Sequence, residues 1–525
     1  MLLKFILFLA LVTLSQSLLL AETTLNRNLA PPAMHSNLLD NSNWYVDILK
    51  RDLYEGLMSR DIDGKLIYGN TKSVKIQGEG VEYIFTLRED AKWSNGKDVT
   101  AYDYEFTYKY MINLKNDTQT SFYLEEIQIK NASKILKGEL SVEMLGVKAL
   151  DKKTLLITLE QPSAYFLNAL AAPLMFPFPQ HSINNSEYKN DKISTTISNG
   201  AYTVKRIIKN KKIILAKNPY YYDKKRVSID KVIYNIVTGT KALNLYKKNK
   251  LDIVTDIPKN RVNYITKHMP NQYNTYLING NYFLSFNLKK EIFQNKQVRK
   301  ALSYAIDREV IANKVMGSGE KALYSLIPAS FLTINYKNQF YKKILQRRRE
   351  KIAKDLLLKS GYNPKKPLKF KLLYNKNEYN TRTLLAIVSM WRQVFKGSIK
   401  VKLVSKPWNT YIQELQEYPI CRTGWVADYE DASSMFSIFN KFNPFFSEKK
   451  LSKALQHKLK SISVEPSKEK RDLIYQQLDK AITEEFVLIP LFQLSSNTLV
   501  KPYVHGYRTN KLDTLFSKYL SIEKH

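Results

Sequence analysis

The chain has 525 residues, which exceeds what one hydrophobic core ordinarily supports, and a hydrophobic share of 44% excludes a disordered protein, so two or more folded domains are expected. Its 82 Lys and Arg residues outnumber 48 acidic residues and give a formal net charge of +34. The basic residues are spread along the whole chain, which is typical of a solvated surface and argues against nucleic acid as a partner.

The first 21 residues have the pattern of a secretory signal peptide. Lys4 precedes an apolar run from Phe5 to Val12, and small residues follow at Ser17 and Ala21. The run is short for a membrane span, so an uncleaved anchor is the less favoured alternative. We expect cleavage after Ser17 or Ala21, without a lipid-anchor cysteine, and a soluble protein in the periplasm.

Strand and helix patterns alternate along the rest of the chain. The hydrophobic spacing predicts, in chain order, a strand over 82–88, a helix over 104–111, a strand over 155–159, a helix over 298–305, a helix over 349–360 and a strand over 368–374. Thr100 and Asp103 have capping-box spacing ahead of the first of these helices. The interleaving indicates an α/β or α+β class.

The sequence carries no recognisable catalytic constellation. Its six histidines are scattered without a zinc-binding spacing, and no complete phosphate-binding loop or nucleophile elbow occurs. The single cysteine, Cys421, cannot form an intramolecular disulfide, and a small buried hydrophobe is its ordinary role. We therefore expect no enzymatic activity, no metal site and no cofactor.

Residues 422–429, RTGWVADY, combine the groups needed to hold a zwitterion. Asp428 can accept hydrogen bonds from an α-ammonium group, and Arg422 can bind a carboxylate in a bidentate manner. Gly424 leaves main chain open for pairing with an extended guest. A peptide offers all three groups. Without further context, however, Asp428 would be read as an exposed loop residue.

Six blocks of sequence follow one another in the order of a known family. They are LYEGL at 53–57, LREDAKWSNG at 87–96, SNGAY at 198–202, KNPYY at 217–221, VRKALSYAIDR at 298–308 and LVKPY at 499–503. Through these blocks the chain resembles the periplasmic oligopeptide-binding proteins of ABC importers, bacterial extracellular solute-binding protein family 5. The resemblance covers residues 53–525, whereas 22–52 match poorly, so the family's first strand is not placed.

The resemblance implies an α/β fold: a bilobal periplasmic-binding-protein clamp with an extra domain and a two-crossing hinge. The first lobe would comprise residues 22–66, 190–278 and 488–525, the additional domain 67–189, and the second lobe 279–487. A ligand enclosed between the lobes would favour the closed form. The implied partners are short peptides and the permease subunits of an ABC transporter in the inner membrane, and we expect a monomer.

The resemblance also implies roles for individual residues. Asp428 matches the aspartate that holds a peptide's α-ammonium group, and Arg422 matches an arginine that meets its carboxylate. Trp425 and Trp408 match pocket aromatics. The remaining expected ligand-binding residues are Gly424, Tyr282, Phe283 and Asn380.

The chain departs from its peptide-binding relatives where they place further cations for the carboxylates of ligands of other lengths. It has Met316, Asn380 and Leu415 at those positions and keeps Arg422 alone. This pattern implies one favoured carboxylate position, suited to a tripeptide or a cell-wall peptide. The alternative is a binder of another solute on the same fold, such as a murein tripeptide, a metal chelate or haem.

Overall fold

The structure is a computed structural model, which describes residues 22–31, 44–114, 121–180, 196–255, 257–333, 341–439 and 453–523. The predicted signal peptide lies outside these residues. Helices and strands alternate along the chain, and the α/β class is as predicted.

The strands are β1 Thr24–Leu29, β2 Met58–Arg60, β3 Leu66–Tyr68, β4 Thr71–Gln77, β5 Glu82–Leu87, β6 Val147–Ala149, β7 Thr154–Thr158, β8 Tyr202–Ile208, β9 Lys212–Lys217, β10 Lys231–Ile236, β11 Ile253–Val254, β12 Tyr273–Phe286, β13 Lys321–Ala322, β14 Leu368–Asn375, β15 Ile399–Lys406, β16 Ile420–Val426, β17 Leu488–Val500, β18 Val504–His505 and β19 Ser521–Ile522.

The α-helices, apart from a single turn at Arg308–Val310, are α1 Trp44–Leu53, α2 Ala101–Ile112, α3 Ser121–Glu126, α4 Ala132–Leu136, α5 Phe166–Ala169, α6 Gly239–Lys247, α7 Val262–His268, α8 Lys296–Tyr304, α9 Gln346–Lys359, α10 Glu378–Phe395, α11 Trp408–Glu414, α12 Lys453–Ser461 and α13 Lys468–Glu484.

All six elements predicted from hydrophobic spacing are present. The strands β5, β7 and β14 lie within one residue of the predicted bounds, whereas α2 and α9 begin three residues earlier and α8 two residues earlier than predicted. The capping box at α2 forms: Thr100 N donates to Asp103 Oδ2 at 2.9 Å. Local patterns were sufficient for these elements because each one buries a single regular face.

One long mixed sheet runs through the molecule. Its strand order is β15-β14-β16-β12-β17-β11-β1-β10-β9-β8, with β13 paired to β17. The longest strands, β12 and β17, are antiparallel neighbours, and their register shifts between Leu277 and Asn281. On one side of this shift β17 pairs with β11, and on the other β12 pairs with β16. These two strands form the two chain crossings that the resemblance implies.

The first strand, which the sequence did not reveal, is β1. It pairs in parallel with β10 along its whole length. Its apolar pattern is obscured because Arg27 and Asn28 are buried beside Leu25 and Leu29. Arg27 is accommodated by tertiary partners, since its Nη1 donates to the Tyr234 hydroxyl at 3.1 Å and to Ser517 Oγ at 3.0 Å.

A separate antiparallel sheet has the strand order β4-β5-β7-β6. Tyr83, Phe85 and Leu87 alternate on its buried face, which faces a core shared with α2. This sheet lies within the range proposed for the additional domain, 67–189. The exact limits of the three domains remain predictions.

Candidate functional site

The motif with mixed charges lies on strand β16 and the turn that follows it. β16 is antiparallel to β12, with Gly424 opposite Tyr282 and Arg422 opposite Leu284. Because side chains alternate along a strand, Arg422, Gly424 and Tyr282 share one face of the sheet, and Trp425 belongs to the other.

One edge of β16 is open beyond its first residues. The parallel strand β14 pairs with β16 only at Ile420 and Cys421. From Arg422 to Val426 the described residues provide no strand on that side, whereas β12 pairs with the opposite edge throughout. An open edge of this kind can add an extended peptide through main-chain hydrogen bonds.

Arg422 lies at the start of the open edge. Its guanidinium carbon is 4.5 Å from the centre of the Tyr282 ring, and Nη1 donates to Asn375 Oδ1 at 3.4 Å. Arg422 Nε is buried and has no hydrogen-bond partner within the described part of the chain. Gly424 leaves room for this side chain, since a Cβ there would lie 3.2 Å from Arg422 Nη2. The guanidinium therefore retains a donor for an anionic group.

Asn380 joins this cluster from the first turn of α10. Its Nδ2 donates to the main-chain oxygen of Asn375 at 2.9 Å and to Asn375 Oδ1 at 2.8 Å. Asn380 is fully buried, so Asn375 links it to Arg422 in a low-dielectric environment. Met316 and Leu415, at two of the positions where the resemblance implies cations in other members, are buried in hydrophobic clusters.

Tyr282 lies over the Arg422 guanidinium and is fully buried. Burial raises its pKa to about 12, although the charge of Arg422 acts in the opposite direction. The hydroxyl is therefore protonated at neutral pH and is able to donate a hydrogen bond. Arg422 and Tyr282 together offer donors to a carboxylate, while Asn380 holds Asn375, which contacts Arg422.

Asp428 lies at the other end of the open edge, where it lines a cleft together with Asp47, Arg51, Arg60 and Phe516. Asp428 is half-buried, and its main-chain N–H donates to Ser434 Oγ at 3.0 Å.

The environment of Asp428 disfavours its charge. Burial raises the pKa of Asp428 to about 7, and the negative charge of Asp47 adds to the shift, while Arg51 and a hydrogen bond with Ser434 oppose it. A carboxyl group held near half-ionisation at neutral pH becomes fully ionised when an ammonium group approaches. The site is therefore electrostatically prepared for a cation.

The predicted aromatic residues occupy different places. Trp425 is half-buried, and its Nε1 has no hydrogen-bond partner among the residues that the structure describes. Trp408 begins α11, with its ring 5.7 Å from that of Tyr411, whose hydroxyl donates to the main-chain oxygen of Arg422. Phe283 is fully buried in the hydrophobic core and lies on the face opposite to Arg422.

Two charged residues near Asp428 were not predicted. Arg60, in β2, lines the same cleft, and Glu126, at the end of α3, lies near enough for the charge of Asp428 to act on it. Adjacent acidic residues such as Glu125 and Glu126 read as a solvated surface in the sequence, so no local signal could have identified Glu126.

Other kinds of site find no support in the described part of the chain. No group of three His, Cys, Asp or Glu residues there is placed to hold a metal ion. Cys421 is buried, burial raises its pKa to about 12, and its Sγ is 3.4 Å from the main-chain oxygen of Leu415. Within the same residues no helix has the length and apolar character needed to cross a membrane.

Comparison with known proteins identifies relatives of this architecture. The periplasmic murein peptide-binding protein MppA of Escherichia coli is 30% identical over 90% of this chain and 88% of its own length. The probable deoxycholate-binding periplasmic protein YgiS of Escherichia coli is 32% identical over 90% of this chain and 89% of its own length.

Solved structures agree with this placement. Haemophilus influenzae OppA in complex with the peptide RPPGFSPFR has a TM-score of 0.88 and 28% identity, covering 96% of this chain and 99% of that chain. The unliganded open form of MppA, also 28% identical and covering 96% and 98%, has a TM-score of only 0.69. The lobes are thus arranged as in the peptide complex rather than as in the open form.

The family model matches a large part of the chain. Residues 65–446 match the model of bacterial extracellular solute-binding proteins, family 5 middle region. This range includes the open edge of β16, Arg422 and Asp428. The chain belongs to the bacterial extracellular solute-binding proteins of family 5.

Proposed function

We propose that the protein captures short peptides between its two lobes and delivers them to the permease of an ABC importer. The observation that supports this function best is the open edge of β16, which has Arg422 at its start and Asp428 beyond its end. A peptide would pair its main chain with this edge, with its α-ammonium group at Asp428 and its carboxylate at Arg422. Main-chain pairing does not depend on side chains and so accommodates many sequences.

The spacing of the two charged residues favours a short ligand. Strands rise by about 3.3 Å per residue, so the six residue steps from Arg422 to Asp428 correspond to at most about 20 Å. An extended tripeptide spans about 10 Å, and the arginine and aspartate side chains can cover the remainder. Because Arg422 is the single cation kept at the expected carboxylate positions, we expect a tripeptide or cell-wall peptide to bind better than a dipeptide or a tetrapeptide. A clear dipeptide preference in a calorimetric series of chain lengths would contradict this assignment.

The named relatives support the proposed location. MppA and YgiS are both called periplasmic, which agrees with export of this protein through a cleaved signal peptide. We propose that it acts there as a monomer, without catalysis, and that the permease recognises its closed form. Size-exclusion chromatography coupled to light scattering tests the monomeric state.

A second candidate ligand is an apolar solute with a carboxylate. YgiS, at 32% identity, is named as probably deoxycholate-binding. Such a ligand could use Arg422, but it offers no ammonium group to Asp428. The two candidates therefore differ in their dependence on Asp428.

Substitution Asp428→Ala tests the proposed function. Removing one partner of a buried charge pair typically costs about 3–5 kcal/mol, so the variant should lose tight peptide binding while remaining folded. Isothermal titration calorimetry with Ala-Ala-Ala measures the affinity, and circular dichroism checks the fold.

Substitution Glu430→Gln is the matched control, because Glu430 is exposed and only two positions away. It should bind the tripeptide like the unmodified protein. Undiminished affinity of Asp428→Ala would refute the ammonium assignment. Tight binding of deoxycholate by a protein that ignores peptides would instead support the second candidate.

A further inference from the structure

Two carboxyl groups from distant parts of the chain, those of Glu126 and Asp428, are near enough for their charges to interact, and both belong to the surroundings of the segment that follows β16. Glu126 Oε1 accepts hydrogen bonds from the Tyr429 hydroxyl at 3.0 Å and from Ser437 Oγ at 2.7 Å. Tyr429 directly follows Asp428, whose main-chain N–H donates to Ser434 Oγ. The segment after β16 therefore orients both carboxyl groups, one from α3 and one of its own.

One oxygen of this pair lacks a donor. Glu126 Oε2 is buried, and the described residues offer it no hydrogen-bond partner. Tyr429 and Ser437 fix the other oxygen, so Oε2 cannot turn away without breaking both hydrogen bonds. A buried carboxyl oxygen in this position is costly unless a donor approaches it.

The surroundings of the pair leave it short of positive charge. The titratable groups that face it, from α1, β2, α3 and the loop before α5, are Asp47, Arg51, Arg60, Tyr123, Glu125 and Tyr165. Burial, followed by the charge of Asp428, raises the pKa of Glu126 to about 8. The pKa of Asp428 is also raised, so the positive charge of Arg51 does not outweigh the effect of burial on this carboxyl group.

We propose that Glu126 is a second binding residue for the primary ammonium group of the ligand, which it holds together with Asp428. An ammonium group has three N–H donors, enough to reach Glu126 Oε2 and the Asp428 carboxylate at once. No covalent bond forms or breaks in the ligand: a carboxyl proton of the pair passes to the solvent as the ammonium group takes its place. This assignment rests on the proposed peptide-binding function.

The inferred role joins two parts of the molecule through the ligand. Glu126 lies in the range proposed for the additional domain and Asp428 in that proposed for the second lobe. A ligand ammonium group bound to both would draw these parts together, whereas an N-acetylated peptide could not. Capture should therefore depend on a free amino terminus more strongly than a single aspartate would require.

Calorimetry with Ala-Ala-Ala at pH 7, in two buffers of different ionisation enthalpy, tests the proposal. The unmodified protein should release about one proton per bound peptide, because the ligand displaces it from the pair. Glu126→Gln keeps an oxygen that accepts from Tyr429 and Ser437, and it should bind about 10- to 100-fold more weakly, with less proton release. The exposed control Glu139→Gln should behave like the unmodified protein.

N-acetylated Ala-Ala-Ala separates a binding role from a structural one. Its weak binding should be the same in the unmodified protein and in Glu126→Gln. An equal loss for both peptides, or unchanged affinity and proton release for Ala-Ala-Ala, would overturn the proposal. If Glu126→Gln does not fold, the proton count of the unmodified protein decides: a count no larger than the roughly half proton that Asp428 alone, with its pKa of about 7, releases at pH 7 overturns the proposal.

Two further results keep this inference distinct from the proposed function. Failure of the unmodified protein to bind any peptide rejects the function itself, whereas binding that requires Asp428 but not Glu126 rejects only the inference. Ethylamine supplies an ammonium group without a peptide. Ethylamine should not displace Ala-Ala-Ala when the two are present at similar concentrations. If it displaced the tripeptide as well as a second peptide does, the assignment of the pair to a peptide amino terminus would be overturned.

Discussion

At the scale of single residues, Arg422 combines charge, a half-buried position and an unused buried donor. Its Nη1 contacts Asn375, its guanidinium lies against Tyr282, and its Nε has no partner in the described structure. A buried N–H donor without an acceptor is costly until an anion completes its hydrogen bond. This is why we place the ligand carboxylate there.

Substitution Arg422→Gln should remove the preference for a free carboxylate. Hydrogen bonds to charged groups typically contribute about 1.5–3 kcal/mol, so affinity for Ala-Ala-Ala should fall about 10- to 100-fold. Affinity for the C-terminally amidated tripeptide should change little. Calorimetry with both peptides measures the difference.

Substitution Arg392→Gln is the control, because this arginine is exposed on α10. It should leave both affinities unchanged. Equal weakening of the free and amidated peptides by Arg422→Gln would contradict a role in carboxylate recognition.

At the scale of elements, the first turn of α10 positions Asn380 beside the carboxylate end of the site. The helix begins with an N-cap: Asn377 Oδ1 accepts from Asn380 N at 2.7 Å. The same turn brings Asn380 Nδ2 to Asn375, which contacts Arg422. The N-cap thus supports both the helix and the site.

Substitution Asn377→Ala should lower the free energy of unfolding by about 1 kcal/mol, the typical loss for an N-cap. It should also weaken binding of Ala-Ala-Ala, because Asn380 and Asn375 lose their fixed arrangement. Chemical denaturation measures the first effect and calorimetry the second.

Ser467→Ala is the matched control, because it removes the N-cap of a different helix. Ser467 caps α13 and accepts from Lys470 N at 3.3 Å. This variant should lose a similar amount of stability but keep its peptide affinity. If both variants weaken binding equally, the effect of Asn377 reflects general stability rather than the site.

At the scale of the whole molecule, one ion pair joins the proposed lobes in the closed form. Lys259, in the range of the first lobe, donates to Glu320 Oε1 at 2.7 Å, and Glu320 lies in the range of the second. The Glu320 side chain is fully buried and Lys259 is 14% exposed. Lys259 also lies 5.2 Å from the centre of the Tyr379 ring, which is next to Asn380.

Substitution Lys259→Met should shift the unliganded protein toward the open form. It leaves Glu320 buried without its cation, which typically costs about 3–5 kcal/mol, and opening allows water to reach the carboxylate. Small-angle X-ray scattering should show a larger radius of gyration, and peptide affinity should fall.

Lys296→Met is the control, because the exposed pair Lys296–Glu485 lies within the second lobe and such pairs contribute about 0–1 kcal/mol. Its scattering profile should match that of the unmodified protein. An unchanged profile of Lys259→Met would contradict the proposed contact between lobes.

The same ion pair gives closure a pH dependence. Burial alone would raise the pKa of Glu320, but the charge and hydrogen bond of Lys259 outweigh it and lower the pKa from its ordinary value of 4.5. The stabilisation from this carboxylate is therefore complete above pH 4.5 and is lost as the pH falls through the lowered value. Acid scattering measurements should show opening of the unmodified protein but not of Lys259→Met, which already lacks the pair.

The sequence was informative where the chemistry is local. Periodicity identified β5, β7 and α2 because each has one buried face, and the six ordered blocks led to the correct family and fold. Hydrophobic spacing failed at β1, because the buried Arg27 interrupts the apolar pattern of this strand. Its burial depends on a tertiary partner, Tyr234, that the local sequence does not reveal. The roles of Arg422 and Asp428 remain predictions whose geometry the structure makes specific.

By itself, the amino-acid sequence determined the fold class, the family and the two charged residues at the ends of the open edge of β16, because these follow from patterns within short segments. Only the tertiary structure decided that β14 leaves β16 after Cys421 and that Glu126 meets the segment carrying Asp428, since Tyr429 and Glu126 are 303 positions apart. The physical reason is that burial and charge depend on neighbours in space. No local pattern encodes contacts between segments so distant along the chain.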